Sequence, residues 1–151
     1  MASAAFDPID QSLIRLLQQD GRRPYTQLAK EVGLSEAAVR QRVQRLLDQG
    51  TMQIVAVTDP MQLGLDRQAM IMIRVEGDVR LVADQLEQID EVDYLVLTAG
   101  SVDLIAEVVV SDDDSLLELL NDKIRSVPGV VSTETIVYLS LRKQTYQWGT
   151  R

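Results

Sequence analysis

The chain has 151 residues, 46% of them apolar and 25% charged, with a net charge of −8 and neither cysteine nor histidine. This is the balance of a soluble globular protein of one domain or two small ones, and the two absences exclude disulfides, thiol nucleophiles, zinc–thiolate sites, histidine triads and imidazole bases. No window reaches the ~18 apolar residues of a membrane span, and "MASAAFDPIDQS" lacks the basic start and apolar run of a secretory leader, so a cytoplasmic protein with no membrane partner is expected.

The charge is unevenly divided. Residues 1–60 carry seven basic and seven acidic groups, whereas residues 61–151 carry eight and sixteen. Within 21–47, Arg22, Arg23, Lys30, Arg40, Arg42 and Arg45 stand against only Glu31 and Glu36, a local net of +4. That asymmetry suggests two domains, the first with a basic patch.

In chain order, "FDPIDQSLIRLLQQDG" predicts a helix with Asp7 as N-cap, Pro8 at its first position and Asp10 in its first turn. Ile9, Leu13, Leu16 and Leu17 share one face, and Gly21 ends the run. "PYTQLAKEVG" predicts a short second helix, with Leu28, Ala29 and Val32 inward and Gly33 as the stop. Leu34 then turns in, and Ser35 caps a third helix whose N-terminal dipole favours Glu36.

On the third helix Val39, Val43, Leu46 and Leu47 form the apolar stripe. Ala37, Ala38, Gln41, Gln44 and Arg45 fall opposite, and Arg40 and Arg42 flank the stripe. Small residues permit close approach, amides bond base edges and arginines hold phosphates, which suits a helix entering a major groove. A solvated helix with ordinary charges satisfies this segment equally well on its own. The short helix and tight "VGLS" turn before it favour a helix-turn-helix. "TMQIVAVTD" follows as a strand, a wing or a linker.

These segments resemble the DNA-binding domain of the Lrp/AsnC (feast/famine) transcription regulators. The resemblance is carried by "IDQSLIRLLQQDGR", "LAKEVGLS" and "VRQRVQRLLDQG", followed by "DPMQLG", and it extends over nearly the whole chain. Two departures stand out. Pro24 occupies the place of a capping serine, and "MQIVAV" lacks the usual Gly-Tyr. The candidate DNA-binding residues are Arg22, Ser35, Ala37, Ala38, Arg40, Gln41, Arg42, Gln44 and Arg45.

After the connector "DPMQLGLD" the pattern alternates. "QAMIMIRVEG" predicts a strand, "DVRLVADQLEQID" a helix, "DYLVLTAG" and "VDLIAEVVV" a pair of strands around Gly100-Ser101. "DDDSLLELLNDKIRSV" predicts a helix and "GVVSTETIVYLSL" a last strand. The order βαββαβ is ferredoxin-like. The expected fold is therefore α+β, with a (winged) helix-turn-helix domain over 1–60 and a ferredoxin-like domain over 61–151. Both faces of the sheet read as partly apolar, which calls for a partner sheet, or else for a monomer with a mildly apolar exposed face.

This half resembles the family's amino-acid-response module, in which sheets pair into dimers and dimers into larger rings. "AGSVDLI" matches its Gly-x-x-Asp signature through Gly100 and Asp103. The resemblance implies an amino-acid effector held at Gly100, Ser101, Val102 and Asp103, with Thr133 and Thr135 matching a threonine-rich stretch. Turn amides can receive a carboxylate and Asp103 an ammonium. Read from the residues alone, Gly100 equally serves a tight turn that Asp103 caps.

The function so implied is an oligomeric, sequence-specific transcription regulator whose partners are double-stranded DNA, further copies of itself and an amino acid, with no cofactor or metal. An assembly module whose helix-turn-helix contacts protein is the alternative. An enzyme on the second half, such as an acyl phosphatase, would want an arginine-bearing phosphate loop after the first strand. "RVEGDVRLV" offers mostly acids and only Arg80 nearby.

Overall fold

Asp7 starts the first helix by accepting the Ile9 N–H at 2.9 Å, with Pro8 supplying the fixed φ of the first turn. The computed structural model describes residues 7–146 and 149, in two compact units, residues 7–57 with 143–146 and 149, and residues 58–142. The division thus falls at Val57/Thr58, slightly before the expected 60/61. The described residues 143–146 and 149 group with the first unit rather than the second.

Three helices build the first unit: α1 (Pro8–Gln19), α2 (Tyr25–Val32) and α3 (Glu36–Asp48). Pro24 offers α2 no side-chain cap, so its carbonyl takes the Gln27 and Leu28 N–H groups instead. Gly33 ends α2 at φ 70°, a left-handed conformation that only glycine adopts cheaply. Its neighbour Leu34 donates its N–H back to the Ala29 carbonyl. The reversal delivers Ser35, whose Oγ accepts the Ala38 N–H at 3.2 Å and starts α3. Leu13, Leu16, Leu17, Leu28, Ala29, Val39 and Val43 close a shared core.

The strand expected in "TMQIVAVTD" does not form. Thr51 and Met52 turn their N–H groups back to the Leu46 carbonyl, and residues 53–58 lie outside any ladder. Ile54, Val55 and Val57 stay exposed. High β-propensity makes no strand without a neighbouring edge to bond to.

The second unit is a four-stranded antiparallel sheet ordered β2-β3-β1-β4, from β1 (Arg67–Val75), β2 (Val92–Leu97), β3 (Leu104–Val110) and β4 (Val130–Val137). Helices α4 (Val79–Leu86) and α5 (Asp113–Glu118) complete the ferredoxin-like order. The expected long final helix is divided: α5 passes into a π-helical stretch at Leu119–Ile124, with the Arg125 N–H bonded to the Leu120 carbonyl. Leu116, Leu119, Leu120 and Ile124 are buried there. Alternate residues of β1 (Ala69, Ile71, Ile73) and β3 (Leu104, Ala106, Val108, Val110) face this core with Val82, Ala83 and Leu86. The register places Met70, Met72, Val96 and Ile105 on the opposite face, where each is half-buried, with Tyr94 and Ile136 exposed beside them. Gly129, at φ 98°, is required where the chain enters β4. A Cβ there would meet Val82 Cγ2 at 2.9 Å and the Glu76 carbonyl oxygen at 3.2 Å.

Candidate functional sites

The buried stripe of α3 is Val39, Val43 and Leu46, which turns Ala37, Gln41 and Gln44 to solvent and leaves Ala38 half-buried. Gln44 Nε2 is held by Asp48 at 2.8 Å. Ser35 is committed as the cap. Arg40 is exposed, paired to Glu36 at 3.0 Å and lying 4.9 Å from the centre of the Tyr25 ring. Cation, ring and carboxylate together hold one extended guanidinium at the helix edge. Arg22 is also exposed, in the turn before α2.

Of the other two arginines, Arg42 lies half-buried at the edge of the stripe, as expected, whereas Arg45 departs from the helical-wheel expectation. Arg45, expected on the outer side, reaches α1, where its Nη2 donates to Asp10 Oδ2 at 2.5 Å. Arg42 Nη1 donates to Asp10 Oδ1 at 2.8 Å and to Asp7 Oδ2 at 2.7 Å. Long side chains on a helix reach past their nominal direction when a buried carboxylate attracts them. The Ile9 N–H, and then Arg42, hold the Asp7 carboxyl below its usual range, and Asp10 followed by Asp7 raises Arg42. Arg23 pairs with Glu31. The +4 of residues 21–47 is thus partly neutralised from outside that window. Asp10 is the residue that helix periodicity missed. Its signal was a carboxylate one position from Ile9, on the edge of an apolar face.

In the second unit the turn from Gly100 to Asp103 is tied tightly to its neighbours. Thr98 Oγ1 donates to the Val102 carbonyl at 2.6 Å, and the Asp103 N–H donates to the Ile73 carbonyl at 3.0 Å. Asp103 Oδ2 accepts the Val75 N–H at 2.8 Å, beside the register shift at Arg74/Val75. Gly100 has no positive φ, and a Cβ built on it meets nothing within 4 Å. Its own chain therefore does not require glycine, contrary to the tight-turn reading.

Thr133 pairs with Ile73 from the side opposite to Leu104, so it and the Gly-x-x-Asp turn flank the same end of β1. Two strand spacings separate them, about 10 Å. Thr133 Oγ1 accepts from Arg125 Nε at 2.9 Å, and Arg125 Nη1 donates to Asn121 Oδ1 at 2.9 Å. Thr135 Oγ1 is buried without a partner. Sequence reasoning did not single out Arg125, whose position before "GVVSTET" gave no pattern to read. Among the described residues no cluster of acidic side chains could hold a metal ion, and no helix is long and apolar enough to cross a membrane.

Comparison with known proteins matches both halves. An AsnC-type helix-turn-helix domain matches residues 6–47, and an Lrp/AsnC ligand binding domain matches residues 68–148. An uncharacterized HTH-type transcriptional regulator of Pyrococcus furiosus is 36% identical over 142 residues, covering 93% of this chain and 96% of its own length. The proline dehydrogenase transcriptional activator of Rhizobium radiobacter is 31% identical over 144 residues, 92% of each chain. The crystal structure of the leucine response regulatory protein of Mycobacterium tuberculosis aligns with a TM-score of 0.85 at 31% identity, covering 94% of this chain and 98% of that one. With both domain types in order and relatives matched along almost their whole length, this chain belongs to the Lrp/AsnC family of transcription regulators.

Proposed function

We propose that α3 is the helix that reads DNA in this regulator, and that an amino acid bound beside the Gly100–Asp103 turn changes how copies of the chain assemble on it. The observation that carries the first part is the exposed row Ala37, Gln41 and Gln44 on a helix whose other face is fully packed. Two small or amide-bearing turns approach base edges closely, and Arg40 at the rim can take a phosphate. The second part rests on Gly100, which its own chain leaves unconstrained. A glycine with open space where a Cβ would stand suits the close approach of a ligand or a second copy. Asp103 can receive the ammonium and the amides of Ser101 and Val102 the carboxylate, with Thr133 and Thr135 on β4 across β1 from the turn. The names of two relatives, a leucine response regulatory protein and a proline dehydrogenase transcriptional activator, support amino acids as the effector class.

Such a regulator acts on cytoplasmic DNA without catalysis and without a cofactor. The half-buried Met70, Met72, Val96 and Ile105 give the open sheet face a mate in a second copy, packed about 10 Å away. Genomic immunoprecipitation with and without added amino acids tests the reading. Discrete sites whose occupancy changes with one amino acid are expected. Uniform, effector-blind recovery of DNA would overturn it.

A further inference from the structure

Asp10 is the single buried charged residue among those described, 4% exposed on the first turn of α1. A carboxylate so placed is costly unless both oxygens are satisfied by charge. Here each oxygen has its own arginine, Oδ1 with Arg42 and Oδ2 with Arg45, and Asp7 takes Arg42 as well. Two carboxylates three residues apart, the cap and the first turn of α1, grip two arginines three residues apart on α3. Yet both arginines keep contact with solvent, their side chains 27% and 48% exposed, and both line the open depression that runs along α3 with Gln41 and Gln44.

We propose that Asp10 is a positioning residue for DNA discrimination: it withholds Arg42 and Arg45 from phosphates and fixes the roll of α3 that aims Gln41 and Gln44. Non-specific affinity for DNA grows with each phosphate a cation neutralises, whereas discrimination comes from base edges. Two arginines beside α3 without Asp10 and Asp7 would add to binding on every sequence alike. Paired as they are, this flank carries no net charge, and a larger share of the binding energy falls to the base-facing row. The same bonds cross from α1 to α3, so the direction of the row is set against a helix that does not itself read DNA. The inference rests on α3 being the DNA-contacting helix.

The test uses Asp10→Asn in the full chain, which keeps the volume and one acceptor and removes the charge. Affinities for an operator duplex, recovered by immunoprecipitation, and for a scrambled duplex are measured across salt. The expected result is tighter binding to the scrambled duplex, a salt slope steeper by about one unit for each arginine released, and a smaller operator-to-scrambled ratio. A merely structural ion pair predicts the reverse: both affinities fall together with the folded fraction and the slope is unchanged. That outcome overturns the proposal. Arg45→Met provides a second arm if Asp10→Asn does not fold. An unchanged slope on the scrambled duplex is expected, and a slope shallower by about one unit would make Arg45 a phosphate ligand and refute the inference. Absence of any salt-dependent DNA binding by the wild type would instead sink the assignment of α3, which separates the two failures.

Discussion

Replacing Asp103 by alanine removes the acceptor of the Val75 N–H and nothing else from the backbone network, because the bonds to Ile73 and Thr98 use the Asp103 main chain. A charged acceptor bonded to a half-buried amide is worth roughly 1–3 kcal/mol. For a unit of this size, each kcal/mol shifts the melting temperature by about 4–8 °C, so a fall of roughly 4–24 °C is predicted for the unit containing residues 58–142. Asp103→Asn is the informative companion. It keeps an oxygen toward Val75 and so should melt within a few degrees of the wild type. It has lost the charge that would receive an effector's ammonium, a charge-assisted bond whose removal weakens binding by about 10- to 100-fold. Thermal unfolding and calorimetric titration with the twenty amino acids, on the wild type and both variants, separate the two roles. If Asp103→Asn binds the amino acid as tightly as the wild type, Asp103 is a turn residue only and the effector lies elsewhere. If Asp103→Ala melts with the wild type, the bond to Val75 contributes no stability and the energetic reasoning fails.

Gln41→Ala should reduce discrimination between operator and scrambled duplex by about 1–3 kcal/mol, read from the two affinities, and equal loss on both would remove it from base reading. Arg40→Ala should weaken both duplexes alike and lower the salt slope by about 0.9, which a titration in salt checks directly. If copies pair through the open sheet face as proposed, Met72→Glu, opposite Ile105, should lower the mass in light scattering to that of a monomer; a mass unchanged from the wild type would show that copies do not pair through this face. Glu91 lies below its ordinary pKa because Lys123 bonds it at 2.5 Å, against the opposing effect of burial. A depressed carboxylate stabilises the fold above its unfolded pKa and loses that contribution as pH falls through its folded value. Lys123→Met should therefore move the acid limb of unfolding to higher pH, and an unmoved limb would show that the pair is energetically silent.

The sequence alone determined the elements whose signals are local. Asp7-Pro8, Gly33 and Ser35 punctuate the three helices through bonds made within a few residues, and the period-two burial of β1 and β3 follows from their own apolar runs. For the same reason the outward face of α3 was legible, since 100° per residue fixes which of its side chains oppose the core. Tertiary structure decided whatever depended on a partner distant in sequence. "MQIVAV" has strand composition but no adjoining edge, and π-helical widening after Glu118 depends on how Leu119, Leu120 and Ile124 fill the space beneath the sheet. Periodicity puts Arg45 outward because it places a Cβ, not the end of a long side chain. Only the packing of α1 across α3 brought the buried carboxylate of Asp10 to meet it, 35 residues away in the chain. Asp103 likewise shows its bond to Val75 only once β3 lies against β1, since a charge's partner is set by the fold and its attraction acts over a few ångströms of space, not of sequence.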